Sequence, residues 1–301
     1  MVALVAGALA IAFSPILVRV SELEPTATGF YRMALSLPLF ALWARWERPG
    51  RGTTGPAATL GPAAPGVTAT PGLTRRHLLW LLVAGLFFAG DLAAWHWSIR
   101  YTSVANATLL ANLAPIVVTV AAWLLFRERI TGAFLVGMLL ALGGALLLVR
   151  ATASSGGTHH LLGDALAALT SLFYAGYLLT VKDLRRSLGT ATLMGLSSLV
   201  SSVILLGLSL AAGESLIPGS PRGWLVLVTL AWVAQVLGQG LITYGLAHLP
   251  AGFWSVTLLV QPVAAALLAW VLLSEPLVWL QGVGAAAVLV GILVARRATG
   301  D

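Results

Sequence analysis

Residues 113–150 read LAPIVVTVAAWLLFRERITGAFLVGMLLALGGALLLVR, and the chain repeats this pattern nearer its C-terminus. Residues 260–297 read VQPVAAALLAWVLLSEPLVWLQGVGAAAVLVGILVARR. Residues recur at one constant separation of 147 positions, among them Pro115 and Pro262, Glu128 and Glu275, Gly137 and Gly284, and Gly144 and Gly291. Four identities at one offset indicate an internal duplication of the chain.

The composition around this repeat predicts a membrane protein. Of the 301 residues, 59% are hydrophobic and 9% are charged, whereas about a quarter of the residues of a soluble domain are charged. A water-soluble globule is therefore excluded. The net charge of +7 comes from short basic clusters between apolar runs, so no nucleic-acid partner is expected. The absence of cysteine excludes disulfides and thiolate chemistry.

Apolar runs divide the chain into about ten predicted transmembrane helices, since a bilayer core needs roughly 20 apolar residues per helix. The segment 47–74, rich in Gly, Pro, Ala and Thr, is predicted to be a flexible cytoplasmic loop. The predicted spans are residues 1–20, 26–46, 76–99, 103–126, 131–150, 160–181, 190–212, 221–246, 252–273 and 278–296.

The basic residues predict the orientation of these spans. An even number of spans puts both termini on one side, and that side carries twelve of the 17 Lys and Arg residues. Four lie on the other side, and Arg32 lies within a span. Positively charged loops stay in the cytoplasm, so we expect both termini there and the protein in the inner membrane.

The duplication and the spans together predict an inverted repeat. Residues 1–150 and 151–301 would each hold five helices, and an odd number inserts the second half with the opposite orientation. The predicted fold class is therefore an all-α membrane protein of two five-helix halves. Such halves can rock so that a central site opens to each side in turn, although the fold alone does not establish transport.

The chain resembles the EamA-type members of the drug/metabolite transporter superfamily. The resemblance rests on the Pro and Glu block of helices 4 and 9, the Gly-rich helices 5 and 10, and ATGFYRMALSLPLF at residues 27–40, where that family often carries an arginine. Within the family, the chain is similar to the YddG-type aromatic amino acid exporters. The resemblance implies a central cavity lined by helices 1 to 4 and 6 to 9, and it implies export as the direction.

Two prolines near the middle of helices 4 and 9 are predicted hinges. Pro115 and Pro262 lack a backbone N–H and clash with the preceding turn. Carbonyls left without a partner are tolerated in a membrane only where protein or water satisfies them. A fixed packing kink is the alternative for either proline alone, and their symmetry favours the hinge.

Two ionisable residues lie deep within predicted spans. Arg32 and Asp91 fall in the outer half of the membrane at similar depth, where a charge costs about 2.5–3.5 kcal/mol. Each is therefore expected to face the interior, and the simplest arrangement is that they pair with each other. A structural ion pair and a substrate or proton-coupling site both stay open.

Polar and aromatic residues at helical spacing predict one cavity lined by several helices. Hydrogen bonds between helices are the alternative role for each of them. The candidates are Asp91 and Trp95 in helix 3, Asn112 in helix 4, Tyr174 and Tyr177 in helix 6, Trp232, Gln235 and Gln239 in helix 8, and Gln261 in helix 9.

The predicted site indicates a class of substrate. No phosphate-binding loop GxxxxGK[ST] occurs, so ATP is not the direct energy source; no cofactor and no metal are expected. A single cation within the spans disfavours strongly anionic substrates. A small neutral or zwitterionic solute with an apolar part, such as an amino acid, fits best. Efflux of lipophilic cations at Asp91, a channel and an intramembrane enzyme are the alternatives. Beyond the substrate, lipid is the expected partner, with the chain a monomer or a weak dimer.

Overall fold

The computed structural model describes residues 2–47, 73–101, 110–127, 130–150, 160–273 and 279–299. Every regular element within these ranges is a helix. Most of the predicted loop 47–74 lies outside them, as do the repeat landmarks Glu128 and Glu275.

The described ranges form a succession of helices. In chain order they are α1 (Val2–Ile11), α2 (Ser14–Arg19), α3 (Pro25–Ala34), α4 (Leu37–Trp46), α5 (Arg75–Tyr101), α6 (Ala114–Phe126), α7 (Gly132–Arg150), α8 (His160–Leu184), α9 (Thr190–Ala211), α10 (Pro221–Thr229), the π-helix Leu230–Gln239, α11 (Gly240–Leu246), α12 (Ala251–Thr257), α13 (Val260–Leu273) and α14 (Trp279–Thr299).

Helix length and composition identify a multi-pass membrane protein. Within the described ranges, seven helical stretches are long and apolar enough to cross a bilayer: Val2–Arg19, Arg75–Ser98, Leu161–Leu184, Thr190–Ala211, Pro221–Leu246, Ala251–Leu268 and Trp279–Ala298. Two further apolar helices, Ala114–Leu125 and Gly132–Leu147, are shorter.

Four predicted spans are broken just before a proline within the described residues. The sequence predicted continuous helices over 1–20, 26–46, 103–126 and 252–273, but turns interrupt them at residues 12–13, 35–36, 112–113 and 258–259. Pro15, Pro38, Pro115 and Pro262 follow these turns within two to four residues. A proline removes one helical hydrogen bond and crowds the preceding turn, and tighter bonds take over there. The Leu258 carbonyl, expected to lose its partner, accepts from the Gln261 N–H at 2.9 Å.

The predicted helix 221–246 changes to π-helical geometry in its middle third. The backbone N–H of Gly240 donates to the Gln235 carbonyl five residues earlier. A π-turn holds more residues than an α-turn, so three- and four-residue spacing no longer keeps side chains on one face. Gln235 and Gln239 are buried, whereas the Trp232 side chain is 48% exposed. The prediction that Trp232 lines the cavity is therefore wrong.

Glycines let α7 and α14 pack with their backbones in contact. A Cβ atom at Gly137 would lie 2.7 Å from the Gly291 carbonyl oxygen, and one at Gly144 would lie 2.5 Å from the Gly284 carbonyl oxygen. Only residues without a side chain permit this approach in a membrane helix pair.

Two glutamates join the ends of α9 to the segments α3 and α4. Glu47, which follows α4, accepts hydrogen bonds from the backbone N–H groups of Thr190 (2.5 Å) and Ala191 (3.0 Å) at the start of α9. Glu214, which follows α9, accepts from the N–H of Ala27 (2.7 Å) near the start of α3. A carboxylate satisfies the free N–H groups and the positive dipole of a helix start. The residue after α4 thus caps the start of α9, and a residue after α9 caps the start of α3.

Candidate functional site

A cavity of about 180 Å³ lies within the helix bundle, between interrupted spans and the continuous helices α5 and α8. Helices α7 and α14 contribute no lining residue in the part of the chain that the structure describes. The lining residues are Ile11, Ala12, Ser14 and Pro15; Arg32; Phe88, Asp91, Leu92 and Trp95; Ala111 and Asn112; Thr170 and Tyr174; Gln239; and Gln261, Pro262 and Ala265.

One face of α5 supplies the central part of the lining. Phe88, Asp91 and Trp95 are spaced by three and four residues, which places them on one side of an α-helix. Asp91 is thus flanked by an aromatic ring one turn before it and another one turn after it. The prediction that Asp91 and Trp95 face a cavity agrees with this arrangement.

Arg32 is buried and held by side chains from two other helices. Its Nε donates to Oε1 of Gln235 at 3.2 Å, and its Nη1 donates to the hydroxyl of Ser14 at 3.1 Å. The guanidinium carbon lies 5.9 Å from the centre of the Phe88 ring, within range of a cation–π interaction. Gln235 donates in turn to the Ser198 hydroxyl at 3.4 Å. These contacts fix the direction of the guanidinium.

Asp91 has a different environment. Its side chain is 9% exposed, and among the described residues it forms no hydrogen bond and no ion pair within 4.0 Å. Arg32 is near enough to interact with it electrostatically, but the predicted direct pairing of these two residues is wrong. Gln235 and Ser14 occupy two of the arginine's donors instead, so the two opposite charges share the cavity without contact.

The two tyrosines of α8 have different roles. Tyr174 lines the cavity, whereas Tyr177 is fully buried behind it. The Tyr177 ring stacks on Phe88 with the centroids 4.4 Å apart, and its hydroxyl lies 3.4 Å from the Met194 sulfur. The sequence predicted Tyr177 and Gln235 as lining residues; both instead lie behind lining residues and support them.

Two buried amides leave polar atoms without a partner. Oε1 of Gln239 and Nε2 of Gln261 have no hydrogen bond among the described residues. Both side chains line the cavity, as does Asn112. Buried polar groups are almost always paired, so an unpaired acceptor and an unpaired donor at one cavity indicate a place for a polar ligand.

The two predicted hinge prolines lie at connected spaces. Pro262 lines the main cavity. Pro115 lines a smaller space of about 30 Å³ that shares Asn112, Tyr174 and Gln261 with it. Their role as hinges stays a prediction.

The sequence analysis missed several residues of the site. Ser14 lies in a run of apolar residues, and Phe88 and Thr170 lie in helices where aromatic and hydroxyl side chains are common. The three-residue spacing of Phe88 and Asp91 was the only available signal for Phe88. The described residues contain no group of three or more His, Cys, Asp or Glu side chains arranged to hold a metal ion.

Curated relatives of the chain are transporters. The chain is 28% identical over 202 residues to the uncharacterized transporter YetK of Bacillus subtilis (strain 168), a match that covers 66% of this chain and 61% of that protein. It is 26% identical over 204 residues to the pseudopaline exporter CntI of Pseudomonas aeruginosa (strain UCBPP-PA14), a match that covers 67% of this chain and 69% of that protein.

The fold and the sequence family agree with these relatives. A solved crystal structure aligns with a TM-score of 0.79 over 99% of this chain and 97% of its own, at 16% identity, which shows a shared fold. The EamA-like transporter family matches residues 1–150 and 161–297. The chain therefore belongs to the EamA-like transporter family, within the drug/metabolite transporter superfamily.

Proposed function

We propose that the chain is a secondary or facilitative transporter that carries small amino acids or related amphipathic metabolites across the inner membrane, as an exporter working by alternating access. The observation that supports this substrate class best is the cavity itself. It combines one cation, one anion, aromatic rings and amides with apolar walls inside an otherwise apolar bundle. Ligand sites typically join apolar walls to a few placed polar groups.

The proposed architecture is ten transmembrane helices in two inverted halves, residues 1–150 and 151–301, with both termini in the cytoplasm. The family matches two ranges that meet close to this boundary. The contacts of Gly137 with Gly291 and of Gly144 with Gly284 are what a two-fold axis between duplicated helices produces. The same two-fold relation accounts for Glu47 and Glu214, since each follows the second helix of its half and caps a helix of the other half.

The size of the cavity suits a small solute. An apolar cavity of about 150 Å³ is large enough to bind benzene, so a space of about 180 Å³ accepts a small amphipathic molecule with part of its side chain. Sugar nucleotides and other large anions need more room and several cations.

Packing along α8 supports an outward-facing state of this transporter. Thr170 and Tyr174 line the cavity, whereas Tyr177, Leu178 and Val181 belong to the main hydrophobic core. In the proposed orientation this core closes the cytoplasmic half. Release of that packing, with bending near Pro115 and Pro262, would open the cavity to the other side.

Uptake into proteoliposomes tests this function. The purified protein is reconstituted and given labelled amino acids, with unlabelled competitors and with or without a proton gradient; protein-free liposomes are the control. Saturable uptake competed by apolar amino acids supports the proposal. Persistence after collapse of the gradient identifies a facilitative carrier, and loss identifies proton coupling. Absence of uptake for every amino acid overturns the proposal.

Efflux of lipophilic cations is the second candidate, and one observation favours it. Asp91 has no ion-pair partner among the described residues and lies between Phe88 and Trp95, an environment that suits an organic cation. Arg32 opposes this reading because it places a positive charge in the same cavity. A labelled lipophilic cation in the same liposomes distinguishes the two functions.

A further inference from the structure

We infer that Arg32 and Asp91 form a two-charge subsite that binds the two ends of a zwitterion, with the carboxylate at Arg32 and the ammonium group at Asp91. This inference rests on the proposed transport function and narrows its substrates to α-amino acids and solutes with similarly spaced charges. Uncharged metabolites and solutes with a single charge would be poor ligands.

The Asp91 carboxylate accepts no hydrogen bond from the described residues. The side chain is nine-tenths buried and lines the cavity, yet no described residue donates a hydrogen bond to it. A carboxylate in a membrane interior is costly without a partner. A direct bond to Arg32 would have removed this need, but the two groups are more than 4.0 Å apart. Both side chains line one cavity, so a single ligand in it can contact both charges.

The Arg32 guanidinium is held in one orientation and keeps N–H donors for a ligand. A guanidinium group has five N–H donors in a fixed plane, and Gln235 and Ser14 use two of them. The other donors have no hydrogen-bond partner among the described residues and belong to a side chain that lines the cavity. A carboxylate is the group that matches this planar fork. The fixed plane lowers the entropy lost on binding.

Aromatic, amide and apolar side chains surround the two charges in the cavity lining. Trp95, one turn after Asp91, adds an aromatic ring to the same lining, and such a ring stabilises an ammonium ion. The Phe88 ring already stacks on Tyr177 and lies against the Arg32 guanidinium. Gln239 and Gln261 add amide groups to the same lining, and Oε1 of Gln239 and Nε2 of Gln261 have no hydrogen bond among the described residues. Leu92 and Ala265 form apolar wall for the remainder of the ligand.

Charge balance then gives the selectivity. A ligand with only an ammonium group satisfies Asp91 and is repelled by Arg32, whereas one with only a carboxylate meets the reverse. A zwitterion satisfies both. We expect a zwitterion to bind at least about tenfold more tightly than either singly charged analogue with the same side chain.

The test is a binding panel on the full chain in lipid nanodiscs. Phenylalanine is compared with phenethylamine, which lacks the carboxylate, and with 3-phenylpropionate, which lacks the amino group; alanine, ethylamine and propionate form a parallel series with a small side chain. Wild-type protein should prefer the zwitterion in at least one series. Asp91→Asn should remove the preference over the carboxylate analogue, and Arg32→Gln the preference over the amine.

Arg32→Lys and Trp232→Phe are the matched variants. Arg32→Lys keeps the positive charge and replaces Arg32→Gln if that variant does not fold. It should bind the zwitterion more weakly than wild type but still prefer it over the amine. Trp232→Phe, outside the cavity, should bind as wild type. The inference is overturned if no zwitterion binds in either series, if wild type does not discriminate, or if Asp91→Asn weakens all three ligands of a series equally.

The panel separates this inference from the proposed function because binding is measured without transport. Selective binding of zwitterions with no flux in proteoliposomes supports the subsite and contradicts the transporter proposal. Flux of amino acids without discrimination between the analogues supports the transporter proposal and contradicts the subsite.

Discussion

At the scale of single residues, the site depends on side chains that do not touch the cavity. Gln235 is fully buried behind Arg32 and accepts the bond from its Nε. Tyr177 lies behind Phe88, which lies beneath the guanidinium. A binding group keeps its geometry only when such a supporting layer holds it. The position of Arg32 is therefore set by Gln235 as much as by its own helix.

Gln235→Met tests this support. The change removes the acceptor from Arg32 at nearly constant volume, and an unpaired buried donor costs about 1–3 kcal/mol. We expect amino-acid affinity to fall about 5- to 100-fold, measured by competition for labelled ligand in nanodiscs. Trp232→Met, three residues earlier on the exposed side of the same helix, should leave the affinity unchanged. Equal affinity in wild type and Gln235→Met would show that Arg32 needs no such support.

The sequence carried much of the site but not its internal arrangement. Asp91 and Gln261 could be predicted because polar groups within apolar spans are costly and therefore face the interior. The prediction for Trp232 was wrong for a physical reason, because hydropathy does not show the π-helix that turns this side chain outward. The separation of Arg32 from Asp91 could not be predicted either, because it depends on the hydroxyl of Ser14 and the amide of Gln235, which come from distant parts of the chain.

At the scale of helices, the chain separates close packing from bending. Helices α7 and α14 are continuous and touch through glycines, whereas the spans that contain Pro15, Pro38, Pro115 and Pro262 are interrupted before these prolines. A rigid pair beside broken helices is what a rocking motion requires. The sequence showed both the glycines and the prolines, but continuous hydropathy concealed the interruptions.

Neighbouring glycines in α7 provide a matched pair for the packing. Gly144→Ala puts a Cβ within 2.5 Å of the Gly284 carbonyl oxygen, whereas a Cβ at Gly143 meets nothing within 4 Å. We expect Gly144→Ala to destabilise the protein by about 1–3 kcal/mol through overpacking. Gly143→Ala should be neutral or stabilising by up to about 1 kcal/mol. Thermal melting in detergent measures both, and equal melting temperatures would contradict the packing of α7 on α14.

Replacement of the two prolines tests the proposed bending. Pro115→Ala combined with Pro262→Ala restores two helical N–H groups and removes the ring clash, so both helices should straighten and stiffen. We expect the transport rate to fall about tenfold or more while ligand affinity changes little. Initial rates in proteoliposomes and binding in nanodiscs measure the two effects. An unchanged rate would assign the prolines to packing alone.

At the scale of the whole molecule, the proposed outward-facing state of the carrier can be tested by the accessibility of single residues. The chain contains no cysteine, so a single introduced thiol reports accessibility without further changes. Thr170→Cys places a thiol in the cavity lining. Ser187 and Ser215 are exposed in the connections at opposite ends of α9, so they report the orientation of the chain.

Labelling of whole cells with a membrane-impermeant thiol reagent tests this state. Ser215→Cys should react from outside, and Ser187→Cys should react only after the cells are permeabilised. Thr170→Cys should react from outside, with the reaction slowed by a bound amino acid. The reverse pattern at Ser187 and Ser215 would invert the proposed topology, and an unreactive Thr170→Cys would contradict an outward-facing cavity.

Counterflow in proteoliposomes tests whether the chain is an alternating-access carrier, because counterflow requires one site that carries solute in both directions. Liposomes are loaded with unlabelled phenylalanine, and labelled phenylalanine is added outside at low concentration. The account predicts transient accumulation of the label above its equilibrium level, abolished in Asp91→Asn and absent from protein-free liposomes. Simple equilibration without an overshoot, or no entry of label at all, would contradict an amino-acid carrier that works by alternating access.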